Sequence, residues 1–155
     1  MKEVFLLLGS NRGNRQQLLK QARELLAEKA GTILKISTIY ETTPWGFDDD
    51  TLFLNQAVEI DTNLAPDQLL QELLSIEKQL GRIRPSEAHY QGRTMDIDIL
   101  FFGNQRIFTD SLIIPHPRLH ERFFALQPLA EIAPDFVHPI MQKDIKTLLK
   151  MIINS

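Results

Sequence analysis

The 155-residue sequence contains no cysteine, which excludes disulfide bonds and thiolate metal sites. It also lacks any apolar run long enough to cross a bilayer, and no signal peptide is visible before the first strand-like segment at Val4. Basic residues are not in excess, since the net charge is −3, and this argues against a general nucleic-acid binder. We therefore expect a cytoplasmic protein without membrane or nucleic-acid partners, in which any phosphate ligand meets a local cluster of Arg and His.

The apolar share of 43% and the charged share of 24% are ordinary for a globular protein, and the length suits one compact domain over residues 1–155. We expect this domain to be a monomer. The predicted elements are strand 4–8 closed by a turn at Gly9-Ser10-Asn11, a helix between Asn14 and Gly31, strands 32–40 and 54–60, a helix from Pro66 to Gly81, strand 94–102, a short segment at 106–108, and helices 121–132 and 144–153.

The first six elements follow the order strand, helix, strand, strand, helix, strand, which is that of the split βαβ unit. Right-handed crossovers would place both helices on one face of an antiparallel sheet. The other face would carry the long loops, a third helix and a ligand. The sequence thus predicts an α+β, ferredoxin-like sandwich with an extra C-terminal hairpin and helices.

A pair of aspartates stands in the last of these strands. Because side chains alternate along a strand, Met95, Ile97, Ile99 and Phe101 should meet the helices, whereas Asp96 and Asp98 share the opposite face with Leu100 and Phe102. Two like charges so close repel unless a cation lies between them, and Mg²⁺ takes carboxylate oxygens together with waters and substrate phosphates. The alternative is a solvent-facing strand edge, although Asp is disfavoured in strands.

Arginine and histidine residues flank this strand in sequence: Arg82, Arg84 and Arg93 before it, and His116, Arg118, His120 and Arg122 after it. Arginine side chains match phosphate oxygens in pairs, and a metal with several arginines is the pattern that phosphoryl transfer requires. Each could instead be a solvated surface charge. His116 and His120 could also be zinc ligands on a helix, but Pro115 and Pro117 make His116 a loop residue.

The segment 41–52 is long for a hairpin connection, and a loop of this length is commonly functional or mobile. It contains Pro44, the only tryptophan (Trp45) and Gly46. Flat heteroaromatic ligands are held by aromatic stacking and amide hydrogen bonds, which Trp45, Phe53, Phe124 and Asn55 can supply. Phe53 and Phe124 are equally compatible with a role in the core. The residues themselves thus indicate a Mg²⁺-dependent phosphoryl-transfer site beside a pocket for a flat ligand.

These motifs, in this order, resemble those of the hydroxymethyl-dihydropterin pyrophosphokinase family over nearly the whole chain. The likeness is carried by LGSN (8–11), TPWG (43–46), FLN (53–55), Glu77 with GRIR (81–84), RTMDIDIL (93–100), PHPR (115–118), Arg122 and Phe124. The segment 93–100 together with 115–118 is the most specific part.

The resemblance implies a ferredoxin-like fold, ATP as co-substrate and two Mg²⁺ ions held by Asp96 and Asp98. It implies transfer of pyrophosphate from ATP to 6-hydroxymethyl-7,8-dihydropterin in folate biosynthesis, with AMP as the other product. Catalytic roles would fall to Arg82, Arg93, Asp96, Asp98 and Arg122. ATP would be bound by Glu77, Arg84, Tyr90, Arg93, Ile99, His116 and Arg122. The pterin would be bound by Thr43, Pro44, Trp45, Phe53, Asn55, Asp96 and Phe124.

Some positions depart from the family pattern. The family usually has a small residue and then Pro or Ser, often after Trp, before Arg93, where this chain has the segment HYQG (89–92); Leu74, Ser111 and Ile113 replace polar ATP contacts of some relatives. Two other functions stay open: a different Mg²⁺-dependent nucleotidyltransferase and a non-enzymatic ferredoxin-like ligand-binding module. The distance in sequence between Ser10 and Asp96 counts against the first, and the aspartate pair opposes an RNA-binding form of the second.

Overall fold

A computed structural model of the chain describes residues 3–10, 14–42, 53–81 and 95–154. Its elements are, in chain order, β1 (Val4–Ser10), α1 (Arg15–Lys29), β2 (Thr32–Ile36), β3 (Tyr40–Thr42), β4 (Phe53–Asp61), α2 (Pro66–Leu80), β5 (Asp96–Phe102), β6 (Ile107–Phe108), β7 (Ile113–Ile114), a 3₁₀ turn (Leu119–Glu121), α3 (Phe123–Ile132) and α4 (Ile145–Ile153). Among these residues, no helix is both long and apolar enough to cross a membrane.

The main sheet has the order β2–β4–β1–β5, and every neighbouring pair is antiparallel. β3 also pairs with β4, so it continues the edge that β2 begins, while β6 and β7 form a separate hairpin. This arrangement, with α1 and α2 as the crossovers, confirms the predicted α+β fold of ferredoxin-like type.

The sheet is covered by helices on both faces. On the α1/α2 face, Leu26 and Leu73 pack with Leu8 of β1 in one fully buried cluster. On the α3/α4 face, Leu129 and Leu148 pack against the other side of β1 in a second cluster. Full burial of a leucine side chain contributes about 1.5–3 kcal/mol, so each face is held firmly against its helix pair.

The predicted helix boundaries are largely confirmed, because the residues at the helix ends satisfy otherwise unpaired backbone groups. The Asn14 side chain accepts a hydrogen bond from the amide of Gln17 at 3.2 Å at the start of α1, and Asp144 accepts from the amide of Thr147 at 2.9 Å at the start of α4. Gly81 follows the end of α2, as predicted. Helix α3 starts at Phe123 instead of residue 121, because a 3₁₀ turn occupies the preceding residues.

The first strand is longer than predicted. Gly9 and Ser10 were expected to form a turn, but they belong to β1 and pair with Asn55 and Leu54 of β4. Since β1 is a central strand, Gly9 is also paired on its other side, with Asp96 of β5. Pairing on both sides outweighs the weak intrinsic strand preference of glycine.

The predicted strand 32–40 is broken into β2 and β3 at Ser37. The Ser37 hydroxyl oxygen accepts a hydrogen bond from the amide of Ala57 at 2.9 Å, which replaces the backbone carbonyl that a regular ladder would use. The strand then resumes, and Glu41 and Thr42 pair with Leu54 and Phe53. The expectation that the long loop begins at Glu41 is therefore wrong, because these two residues belong to β3.

The alternation along β5 is interrupted by a β-bulge. Phe5 pairs with Phe101 but the next residue, Leu6, pairs with Ile99, so Leu100 is the extra residue. As a result Phe101 lies on the α3/α4 face and Phe102 packs in the α1/α2 core. The expectation that Phe101 shares a face with Ile97, and Phe102 with the aspartates, is wrong because strict alternation ends at the bulge.

Candidate functional site

Three neighbouring strands place Asn55, Gly9 and Asp96 side by side. Gly9 of β1 pairs directly with Asn55 of β4 on one side and with Asp96 of β5 on the other. Directly paired residues of antiparallel strands point to the same face of a sheet. The carboxamide and the carboxylate therefore flank a position that carries no side chain.

Asp98 lies on the same face, two residues further along β5. It pairs with Leu7, whose side chain belongs to the cluster on the α3/α4 face, and both aspartates are half-buried. Ile97 between them points into the α1/α2 core. The predicted separation of the strand into an apolar face and a carboxylate face thus holds for 95–99, the residues that precede the bulge at Leu100.

His116 lies near Asp98, at the edge of β5 that faces away from β1. Its backbone amide donates to the carbonyl of Leu100 at 3.1 Å. Its Nδ1 atom is buried and has no hydrogen-bond partner among the described residues. Burial lowers the pKa of His116 below its ordinary value, the negative charge of Asp98 partly offsets this, and the positive charge of Arg122 lowers it further. The imidazole is therefore uncharged at neutral pH and can exchange one hydrogen bond with a ligand.

Arg122 and Phe124 come from the start of α3. Arg122 is the residue that immediately precedes the helix, and its guanidinium carbon lies 5.7 Å from the centre of the Phe124 ring. A guanidinium over an aromatic face is held in a defined direction. The half-buried Phe124 ring packs at the border of the apolar cluster on the α3/α4 face. The arginine, the ring and the aspartates thus lie on the same face of the sheet.

The two carboxylates suit Mg²⁺ better than a metal that needs a complete protein cage. Among the described residues, no group of three or more His, Asp or Glu side chains is placed to hold a metal ion. Mg²⁺ is commonly bound by one or two carboxylates, with waters and substrate phosphates completing its six ligands. Asp96 and Asp98 provide that donor set, and zinc binding by His116 and His120 finds no support in the described residues.

Comparison with known proteins identifies the family. The family of 7,8-dihydro-6-hydroxymethylpterin-pyrophosphokinase (HPPK) matches residues 5–134. The chain belongs to the HPPK family. A relative from Bacillus subtilis, 2-amino-4-hydroxy-6-hydroxymethyldihydropteridine pyrophosphokinase, is 50% identical over 130 residues, which are 83% of this chain and 77% of the relative. The protein of the same name from Aquifex aeolicus is 41% identical over 146 residues, 94% of this chain and 89% of the relative.

Longer proteins contain the same fold. The folic acid synthesis protein fol1 of Pneumocystis carinii is 42% identical over 151 residues, which are 97% of this chain but 20% of that protein. The crystal structure of wild-type Plasmodium falciparum HPPK-DHPS superimposes with a TM-score of 0.82 at 18% identity, over 99% of this chain and 45% of that one. The chain therefore spans less than half of that structure, and at this identity the likeness concerns the fold alone.

Two residues that the HPPK resemblance assigns to the nucleotide site lie apart from the carboxylate face. The Ile99 side chain is buried in the α1/α2 core. Glu77 is in the last turn of α2, where its Oε2 accepts a hydrogen bond from the backbone amide of Ile97 at 2.6 Å. Among the departures from the family pattern, Leu74 and Ile113 are exposed, with 47% and 40% of their surface accessible.

Seven of the sixteen residues expected in the HPPK site lie outside the described residues. This part comprises Thr43, Pro44, Trp45, Arg82, Arg84, Tyr90 and Arg93. Within the described part, one face of the sheet carries Asn55, Asp96, Asp98, Arg122 and Phe124, and His116 lies at the border of that face. Phe53 lies on the same face, because it alternates with Asn55 along β4.

Gly9 was missed as a site residue by sequence reasoning. It was assigned to a turn, although a glycine inside a strand commonly marks a place where a ligand or another backbone approaches closely. The signal was present in the uninterrupted apolar run that leads into Gly9, since a central strand can continue through a single glycine.

Proposed function

We propose that this HPPK-family chain transfers pyrophosphate from ATP to 6-hydroxymethyl-7,8-dihydropterin, a step of folate biosynthesis. The hydroxymethyl oxygen forms a bond to the β-phosphorus of ATP. The bond from that phosphorus to the oxygen bridging the α- and β-phosphates breaks, and AMP leaves with that oxygen. The hydroxyl proton is released, and the products are AMP and the pterin pyrophosphate.

The observation that carries this proposal is the row formed by Asn55, Gly9 and Asp96, with Asp98 on the same face. The Asn55 amide can both donate and accept a hydrogen bond, which suits the ring edge of a pterin. The carboxylates suit metal-bound phosphates. The row thus brings together a position for the flat ring and a position for the phosphate that it attacks, as proximity catalysis requires.

The aspartates would hold two Mg²⁺ ions, which when bound neutralise phosphate charge and orient the phosphate chain. Arg122 supplies a fixed positive charge beside them, and we expect Arg82 and Arg93 to add two more for the transition state. His116, uncharged at neutral pH, offers one hydrogen bond to the nucleotide. We further assign Arg84, Tyr90 and Ile99 to the nucleotide side, with Ile99 acting through its backbone because its side chain is in the core.

The pterin ring would lie between aromatic side chains. Phe53 and Phe124 are half-buried, in the way that stacking residues of a pocket are. We expect Thr43, Pro44 and Trp45 to take part in pterin binding as well. Stacking provides area and orientation for the flat ring, while Asn55 provides selectivity for its hydrogen-bonding edge.

One assay tests the reaction. The protein is mixed with ATP, Mg²⁺ and 6-hydroxymethyl-7,8-dihydropterin, and the nucleotide product is separated. AMP with no free pyrophosphate supports the proposal. ADP would indicate an ordinary kinase, free pyrophosphate a nucleotidyltransferase, and no turnover with tight pterin binding a ligand-binding module.

In the folded chain, the distance in sequence between Ser10 and Asp96 no longer counts against a nucleotidyltransferase. Ser10 and Asp96 are far apart in sequence, but they lie on adjacent strands, since Gly9 pairs with Asp96. The position of Ser10 counts against a nucleotidyltransferase instead. Ser10 pairs with Leu54 and follows Leu8 in alternation, so its side chain is on the α1/α2 face, away from the carboxylates.

A monomeric, cytoplasmic enzyme remains part of our proposal, and size-exclusion chromatography with light scattering tests the monomer.

A further inference from the structure

The strand that carries the carboxylate pair is an edge strand. Among the described residues, β5 pairs with β1 on one side only, so half of its backbone groups point away from the described sheet. Such groups must find other partners or water. Within the described part of the chain, Glu77 and His116 satisfy two of these groups, at Ile97 and Leu100 on either side of Asp98.

The first contact is made by a side chain. Oε2 of Glu77 accepts from the amide of Ile97, the residue between the two aspartates, at 2.6 Å. This length is typical of a strong hydrogen bond to an ionised acceptor. The second contact is the His116 amide, which donates to the Leu100 carbonyl at 3.1 Å.

Helix α2 gives the Glu77 carboxylate a rigid support. Leu73 and Ile76 of this helix are buried in the α1/α2 core, in the same cluster as the Ile97 side chain. Glu77 stands in the last turn, where the helix dipole disfavours a negative charge. Glu77 thus carries a negative charge where the helix dipole disfavours it and makes a short hydrogen bond to the edge of β5. This combination indicates that the bond to β5 is its role.

We propose that Glu77 is a positioning residue, which fixes the backbone of β5 at Ile97 and thereby keeps the Asp96 and Asp98 carboxylates directed at one point. The resemblance implied a contact with ATP, whereas here Glu77 acts through the strand that carries the carboxylates. This inference rests on the proposed function for its catalytic meaning. Whether the Glu77 carboxylate holds the edge of β5 can be measured without substrate turnover.

The experiment compares Glu77→Met, which keeps chain length and helix preference but lacks the oxygen acceptor, with Glu77→Gln, which keeps an acceptor without the charge. Glu72→Met is the matched control, since Glu72 is on the same helix. Two quantities are measured: the hydrogen-exchange rate of the Ile97 amide by NMR, with the Val58 amide of β4 as internal reference, and the Mg²⁺ concentration for half-maximal binding of a non-hydrolysable ATP analogue by calorimetry.

In Glu77→Met we expect Ile97 to exchange at least about tenfold faster with Val58 unchanged, and the Mg²⁺ midpoint to rise about tenfold, as for other residues that support metal-binding carboxylates. Glu77→Gln should recover most of both, and Glu72→Met should behave as the wild type. If Glu77→Met does not fold, Glu77→Gln carries the test: its neutral acceptor makes a weaker bond, so the Ile97 amide should exchange measurably faster than in the wild type, and an unchanged exchange rate overturns the inference.

The inference is overturned if Glu77→Met leaves Ile97 protection intact, whether nucleotide affinity falls or not, because Glu77 would then be a direct nucleotide contact or a surface residue. It is also overturned if Glu72→Met has the same effects, because the cause would then be the helix in general. Failure of the proposed function is a separate outcome, seen as an absence of AMP formation by the wild type, and it leaves the exchange result valid.

Discussion

The Oδ1 atom of Asn55 lies 3.3 Å from the point at which a β-carbon on Gly9 would stand. That distance is tighter than an ordinary van der Waals contact, so even an alanine at position 9 would displace the amide. Gly9 is paired on both sides within the sheet, so its own backbone has little room to move. The glycine is therefore needed for the present position of Asn55.

The first prediction is that Gly9→Ala weakens pterin use selectively. The KM for the pterin should rise about tenfold or more, because small displacements of positioning groups have effects of that size. The KM for ATP should change much less. Steady-state kinetics measures both, and circular dichroism checks the fold. An unchanged pterin KM in a folded Gly9→Ala protein would remove Asn55 from the pterin pocket.

The second prediction concerns the carboxylates. Asp96→Asn and Asp98→Asn should each reduce kcat about a hundredfold or more, because each removes a negative charge that we propose as a ligand of Mg²⁺ while keeping size. The melting temperature without Mg²⁺ should stay the same or rise, since repulsion between two close charges is relieved. Asp110→Asn is the control, since Asp110 is exposed and lies outside β5, in the turn between β6 and β7. Mg²⁺-dependent turnover near the wild-type rate in either variant would contradict the assignment.

The third prediction tests a glycine that serves packing alone. A β-carbon on Gly31 would collide with the backbone carbonyl of Asp61, which cannot rotate away as a side chain can. Gly31→Ala should lower the free energy of unfolding by about 1–3 kcal/mol, the usual cost of overpacking. Urea denaturation measures it. In Gly103→Asn, where φ is +58° and the space is open, the loss should be well below that, because Asn tolerates this conformation.

The fourth prediction is a stability change with pH that originates at His138. The ring is buried against Phe101, and its Nδ1 accepts from the amides of Ile140 and Met141, both at 3.1 Å. Burial, with a smaller effect of the charge on His120, lowers the pKa of His138 to about 4. Protonation would end both hydrogen bonds, so the folded state favours the neutral ring.

The direction in which stability changes with pH follows from proton binding. Between an unfolded pKa of about 6.5 and the folded value, the unfolded chain binds a proton that the folded chain does not, so stability falls as pH falls. The loss should approach about 1.4 kcal/mol for each pH unit in that window. His138→Asn offers a neutral acceptor oxygen and should lack this component. Urea midpoints are measured for the wild type and the variant at pH 7.5 and 4.5, and the midpoint should fall more in the wild type. An equal fall in the two proteins would contradict the assignment to His138.

Much of this fold follows from local signals in the sequence. Asn14, Pro66 and Asp144 mark helix starts through bonds or backbone geometry that involve only near neighbours, and those helices are where the sequence predicts them. The face of the aspartates follows from alternation over five residues, for the same reason. Family membership follows from motifs spread over the whole chain.

The features that could not be predicted depend on partners distant in sequence. The break at Ser37 exists because its hydroxyl meets an amide of β4, and the role of Gly9 depends on strands that arrive 46 and 87 positions later, at Asn55 and Asp96. The bulge at Leu100 depends on register with β1. Such arrangements are decided by packing across the sheet, which a single strand does not reveal.

The strand order has a consequence for which molecules the site can accept. Asn55 and Asp96 are two strand spacings apart, roughly 10 Å between backbones, and the intervening β1 is buried between two helix pairs. The sheet therefore fixes this distance, and a molecule has to be long enough to reach from the Asn55 amide to the carboxylates that we propose as metal ligands. A single-ring analogue that matches the hydrogen bonds of a pterin but is shorter would satisfy one end and leave the other unfilled, so length, as well as polarity, decides what can react.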